Sequence, residues 1–124
     1  MSEEQNTAID SLVQRRQAHP GGIVYISLND DLKYSHLSAF RGLFIKEFGE
    51  GNRKMILDLH KVNYLVSAQL GLIWSFKQDA EDSGGDVVFI GLSELVHEAF
   101  DSMGLLDQSE IFETEEEALG HFQA

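Results

Sequence analysis

Side chains able to react or to hold an ion are few and scattered in this 124-residue chain. Histidines stand at 19, 36, 60, 97 and 121, and none shows the i, i+4 pairing on one helical face that a HExxH-type zinc site requires. His97-Glu98 falls within a segment whose apolar stripe already accounts for it. Gly49-Glu50-Gly51 looks like part of a phosphate-cradling loop, but it follows a helical segment, not a strand, and lacks a third glycine and a helix after it, so it reads as a helix-ending turn. Glu115-Glu116-Glu117 has the carboxylates of a cation site, yet Thr114 followed three residues later by Glu117 matches a capping box, and acids are favoured at a helix start. With no cysteine, thiol nucleophiles, disulfides and thiolate metal sites are excluded. No base stands beside a nucleophile. The expectation is therefore no catalytic, cofactor-binding or metal-binding residue, and a protein that is not an enzyme.

Ser67 is the exception. It lies between the loop Lys61 to Val66 and a strongly helical segment, where an N-cap is expected. The same place suits a phosphoserine, because unpaired backbone N–H groups and the positive end of the helix dipole stabilise an added charge of about −1.5 to −2. A plain cap and a phosphorylation switch both fit these residues. In the helix that follows, Leu70, Leu72, Ile73, Trp74 and Phe76 spread over more than one face; either the helix is buried all round, or one face covers a sheet and another meets a partner. Trp74 fits core or interface equally.

The elements that must position Ser67 alternate along the chain. Residues 21–28, bounded by Pro20-Gly21-Gly22 and Asn29-Asp30-Asp31, read as a buried strand, with Ser11 to Gln17 a weaker antiparallel strand before it. Leu37, Phe40, Leu43, Phe44 and Phe48 share one helical face, with Ser35 as the expected N-cap and Gly49 and Gly51 as the stop. A strand over 55–59, a helix from Ser67 to Asp82 ended by Ser83-Gly84-Gly85, and a strand over 86–91 follow. Leu95, Val96, Ala99, Phe100 and Met103 mark a helix capped by Ser93 and ended by Gly104; a short strand near Glu110 to Phe112 and a helix opened by Thr114 close the chain. Strand and helix in alternation predict an α/β domain with right-handed crossovers and parallel strands in one sheet. Residues 1–8 are polar and acidic and are expected to form a flexible N-terminal lead-in to a single domain over 9–124.

A formal charge of −12 argues against nucleic acid and anionic lipid, both of which need clustered Lys and Arg. Arg15-Arg16 is too short for such a cluster and reads as a solvated strand face. No apolar run approaches the roughly 20 residues of a membrane span, and the acidic start lacks the features of a signal peptide, so no membrane insertion and a cytoplasmic location are expected.

Four segments, in order and correctly spaced over roughly residues 11 to 120, resemble the STAS family, which includes bacterial anti-sigma factor antagonists. They are Met-Ile-Leu-Asp-Leu-His-Lys-Val-Asn-Tyr-Leu-Val-Ser-Ala-Gln-Leu-Gly-Leu at 55–72, Ser-Gly-Gly-Asp-Val-Val-Phe-Ile-Gly-Leu-Ser at 83–93, Met-Gly-Leu-Leu-Asp at 103–107 and Ile-Phe-Glu-Thr-Glu-Glu-Glu-Ala-Leu at 111–119. The resemblance implies a STAS-like (SpoIIAA-like) mixed, mainly parallel β-sheet with helices packed on it. It also implies regulation by partner switching, in which an anti-sigma factor that is also a serine-protein kinase phosphorylates the antagonist and a serine phosphatase resets it. Ser67 matches the phosphorylated serine, Asp58 the strand acid, and Leu70 and Gly71 the apolar residue and glycine of the helix's first turn. Val66 stands where the family usually has Asp, and Gln69 where it usually has Gly, which alters the charge and backbone that a kinase would meet. Asp58, Asn63, Val66, Ser67, Ala68, Gln69 and Leu70 are the partner-binding residues this resemblance implies. A STAS adaptor subunit of a transport or signalling complex, which never switches, is the alternative.

Overall fold

The computed structural model describes residues 11–29 and 31–123. The lead-in assigned to residues 1–8 and the first residues of the domain lie outside them. Among the described residues the chain forms β1 (Val13–His19), β2 (Ile23–Leu28), α1 (Leu37–Gly49), β3 (Lys54–Asp58), α2 (Ser67–Asp82), β4 (Asp86–Ile90), α3 (Glu94–Ser102), β5 (Ile111–Phe112) and α4 (Glu115–Gln123), with short 3-10 turns at Tyr34–His36 and Leu106–Gln108. The strands lie side by side in the order β1-β2-β3-β4-β5. β1 is antiparallel to β2, and every later pair is parallel.

This sequential order decides where the helices go. Crossovers of one hand, always stepping in the same direction across the sheet, must all pass over the same face. Val24, Ile26, Leu28, Met55, Leu57, Val87 and Phe89 point to that face and pack with Phe40, Phe44, Leu70, Ile73, Val96 and Phe100 from α1, α2 and α3. The alternate residues Ile23, Tyr25, Ile56, Val88 and Ile90 point to the other face, which α4 covers with Ala118, Leu119 and Phe122. Both faces are thus buried, which is why β2 is apolar at almost every position and does not alternate.

On the three-helix side, aromatic rings fix how α1 and α2 meet. Phe44 stacks on Phe76 at 4.6 Å, and Phe48 meets Phe76 edge-on at 5.5 Å. Lys77 of α2 is buried, and its ammonium reaches the Asp86 carboxylate at 2.5 Å and the Val87 carbonyl at 3.2 Å, pinning the helix to the start of β4. The turn between them needs Gly85, where a Cβ would overlap the Arg53 carbonyl oxygen.

The sequence expectations hold for element type and order, and differ in detail. β1 runs two residues later than read. Arg15 and Arg16 are exposed on the edge strand, as read, but they point to opposite sides of it and each has an acidic partner. Arg15 pairs with Glu115 of α4 at 2.8 Å and lies over the Tyr25 ring, whereas Arg16 makes a two-pronged bond of 2.7 and 2.9 Å to the fully buried carboxylate of Glu47 on α1. Ser35 does not cap α1. It sits inside the 3-10 turn, whose His36 Nδ1 lies 3.1 Å from the Asp31 carbonyl, so the α-helix begins one residue after His36. Ser93 does cap α3, accepting from the Val96 N–H, and Thr114 accepts from the Glu117 N–H at 3.1 Å while donating to the Glu117 carboxylate. The apolar stripe of α3 is narrower than read: Val96 and Phe100 are buried, while Leu95 and Met103 are 59% and 46% exposed.

Candidate functional site

Ser67 stands at the C-terminal end of the parallel strands, where the loop after β3 turns into α2. Two loops build the platform beneath it. The Asp31 carboxylate accepts from the backbone N–H groups of Asn63 and Tyr64 at 2.7 and 3.1 Å. Leu32 and Leu65 form a parallel bridge, in which the Leu32 N–H bonds the Tyr64 carbonyl and the Val66 N–H bonds the Leu32 carbonyl. From the other side Ser93 donates to the Val62 carbonyl at 3.0 Å, tying the start of α3 to the same loop.

That bridge corrects the expectation of a serine cap. It holds Val66 in an extended conformation (φ −76°, ψ 152°), so Val66 is the N-cap and Ser67 is the first helical residue. Valine has no side-chain acceptor, and α2 therefore starts without a side-chain cap. The Gln69 and Leu70 N–H groups both turn back to the Val66 carbonyl, at 2.9 and 3.3 Å. Those of Ser67 and Ala68 enter none of the described hydrogen bonds, as the first turn of a helix requires. The Ser67 side chain is exposed beside them.

The structure separates the partner-binding residues implied by the sequence. Asn63, Ser67 and Ala68 are exposed and Val66 is half-buried, and these form one surface. Leu70 is buried in the core. Gln69 is also fully buried, its side-chain amide donating to the Lys33 carbonyl at 2.9 Å while its carbonyl oxygen has no partner among the described residues. Asp58 does not join them. It has the strand parity of Ile56 and faces α4, where its carboxylate accepts from the Tyr25 hydroxyl at 2.5 Å and from the His60 N–H at 3.0 Å, with the His60 ring at 2.7 Å. Burial, reinforced by Asp58, pushes the Tyr25 hydroxyl up to about 12. Gly91, at φ +69°, packs against the His60 ring, so a Cβ there would have to displace that ring.

Next to Ser67 lies a depression of about 230 Å³ lined by Leu65, Ser67, Leu70, Ala99, Ser102 and Met103. Its wall is mostly apolar, and Met103 stands exposed at its edge. Tyr34 and Tyr64, on the two platform loops, are 70% and 53% exposed. Sequence reasoning missed Asp31, Tyr34, Tyr64 and Met103. Asp31 carried only the signal of a strand-ending polar run, and Met103 fell on an apparently core-facing stripe. Among the described residues no three His, Asp or Glu side chains gather as a metal site, and no helix is long and apolar enough to cross a membrane.

Comparison with known proteins gives the chain its family. The STAS domain family model matches residues 15–118, and the chain belongs to that family. No curated protein sequence matches it. Among solved structures it is similar to a Thermotoga maritima protein provisionally described as an anti-sigma factor antagonist (22% identity, covering 89% of this chain and 94% of that one, TM-score 0.82). It is also similar to the anti-sigma factor antagonist SpoIIAA of Bacillus in its unphosphorylated form (17% identity, 89% and 97% covered, TM-score 0.71). A sulfate transporter family protein of Wolinella succinogenes shares the architecture as well (18% identity, 85% and 88% covered, TM-score 0.69). At these identities the likeness is one of fold.

Proposed function

We propose that this chain is an anti-sigma factor antagonist-like regulator that works without catalysis of its own, by phosphorylation-dependent partner switching at Ser67. The observation that carries this is the placement of Ser67: an exposed hydroxyl at the first position of a 16-residue helix, flanked by unpaired N–H groups and an apolar depression. Unmodified, the surface around Asn63, Val66, Ser67 and Ala68 offers a partner a hydroxyl, aromatic rings at Tyr34 and Tyr64, and an apolar seat beside Met103. A phosphoryl group on Ser67 would be held by the helix N-terminus, while its charge and hydration would oppose the apolar contact. The partner is an anti-sigma factor with serine-protein kinase activity, and a serine phosphatase returns the protein to its binding form.

The test of the switch is phosphate transfer. Wild-type protein and Ser67→Ala, incubated with ATP and the serine-kinase fraction of the native cytoplasm, are read by intact mass and peptide mapping. A mass gain mapped to Ser67 in the wild type alone supports switching; no modification at Ser67 counts against it.

A second reading, a STAS adaptor that never switches, draws support from Val66 and Gln69. Valine removes the acidic cap the family usually carries, and the buried Gln69 amide locks α2 to the Lys33 loop, both of which suit a fixed docking surface. Binding that is indifferent to the charge at position 67 would favour it.

A further inference from the structure

The opposite end of α2 carries a second surface that the Ser67 site does not use. A groove of about 490 Å³ opens between the C-terminal ends of α1 and α2, floored by Phe48 and Phe76 and flanked by Ile45, Asp79, Asp82 and Arg53. Ile45 is 58% exposed although Phe44 before it and Phe48 three residues on are core residues. Asp79 and Asp82 lie three residues apart on one side of the last turn of α2, and no basic residue stands in that turn. Acids at a helix C-terminus meet the negative end of the dipole, an unfavourable placement that nothing within the helix offsets. Neither enters a described ion pair. The nearby cations are already engaged: Arg53 donates to Ser83 Oγ at 2.9 Å and lies 5.4 Å from the centre of the Phe48 ring, and Lys77 is taken by Asp86 and Glu81.

An exposed aliphatic side chain, an aromatic floor and two unpaired carboxylates call for an occupant that is apolar along its stem and positive at its tip. Lysine and arginine side chains have that form. We propose that this groove docks a cationic, amphipathic segment of a partner protein, with its apolar residues on Ile45 and Phe76 and its Lys or Arg on Asp79 and Asp82. The overall charge of −12 favours approach of such a segment and opposes a second copy of this chain or an anionic lipid surface. The 16 residues of α2 place the groove roughly 20 Å from Ser67 at about 1.5 Å per residue, so both surfaces can be occupied together.

The test is a titration of isotope-labelled full chain, followed by amide chemical shifts, with a synthetic amphipathic helix of leucines at i, i+4 spacing and lysines elsewhere, and with the same peptide carrying glutamates for lysines. The lysine peptide is expected to shift Ile45, Gly49, Phe76, Asp79 and Ser83 in preference to the rest. Affinity should fall about tenfold in Asp79→Asn/Asp82→Asn and stay unchanged in Ser67→Asp, and the glutamate peptide should not bind. Shifts spread over the whole acidic surface, equal binding by the double variant, or no binding by the lysine peptide would overturn the proposal. So would the same shifts arising with zwitterionic vesicles, or from self-association seen by sedimentation without peptide.

Discussion

The Asp58 carboxylate meets the Tyr25 hydroxyl at 2.5 Å on the α4 side of the sheet, so the strand acid and Ser67 belong to opposite faces of the same element pair. Asp58 therefore acts on fold stability and on the course of the loop after β3, through His60, before it acts on any partner.

Tyr25→Phe tests this. Loss of a hydrogen bond to a charged group should cost about 1.5–3 kcal/mol in urea unfolding, with Ser67-dependent binding unchanged. The pH dependence has a definite sign. Burial and Asp58 raise the Tyr25 hydroxyl from 10.0 to about 12, so its contribution is complete below the unfolded value and is lost as pH rises from there through the folded value. The wild type should lose stability across that alkaline window, and Tyr25→Phe should lose less.

Arg16 and Glu47 give the acid counterpart. Burial would raise the Glu47 carboxyl, but hydrogen bonds from Arg16 and Asn52 and the charges of Arg16 and Lys46 outweigh it and hold the group below its ordinary 4.5. Its contribution is present above the unfolded value and lost as pH falls through the lower folded value. Arg16→Met leaves a buried carboxylate with only Asn52 and should cost about 2–3 kcal/mol at neutral pH. The two urea midpoints should converge as the pH falls from 4.5 through the lower folded value.

Gln69→Ala removes the bond that ties α2 to the Lys33 carbonyl. Amide exchange of the Tyr34–His36 turn should quicken by about tenfold, with global stability falling by about 1 kcal/mol, since the Lys33 carbonyl loses one of its two donors and keeps the His36 N–H. Unchanged exchange there would mean the Leu32–Leu65 bridge alone holds the platform.

Gly85→Ala forces a Cβ onto the Arg53 carbonyl and should cost about 2–3 kcal/mol. Gly49→Ala, where a Cβ meets open space at the end of α1, should be neutral or mildly stabilising. Thermal unfolding of the pair separates backbone crowding from a general need for glycine.

Most of the fold was legible because local signals agreed: the buried runs at 55–59 and 86–91 became strands within a residue, α2 spans Ser67–Asp82 as read, and Ser93 and Thr114 cap their helices. The errors fall where distant partners decide. Arg15 and Arg16 are exposed as read, but their acids lie 100 and 31 residues away, out of reach of any local signal. Ser35 and Ser67 lose their capping roles to the His36–Asp31 contact and the Leu32–Leu65 bridge, which no local propensity reveals. Asp58 could not be assigned a face from sequence, because a strand buried on both sides shows no alternation. Ser67 itself was legible as a helix start, but the platform beneath it rests on Asp31, more than 30 residues away.

Partner switching at Ser67 is tested most directly by a pull-down from native lysate with wild type, Ser67→Ala and Ser67→Asp as baits. Mass spectrometry identifies the retained proteins, and thermal unfolding of each bait provides the control. Aspartate at the first helical position should leave stability equal or raise it by up to about 1 kcal/mol, because a negative charge suits the helix start. Wild type and Ser67→Ala should then retain a serine-kinase-type anti-sigma factor that an equally folded Ser67→Asp releases. Equal retention by all three baits would contradict the switch.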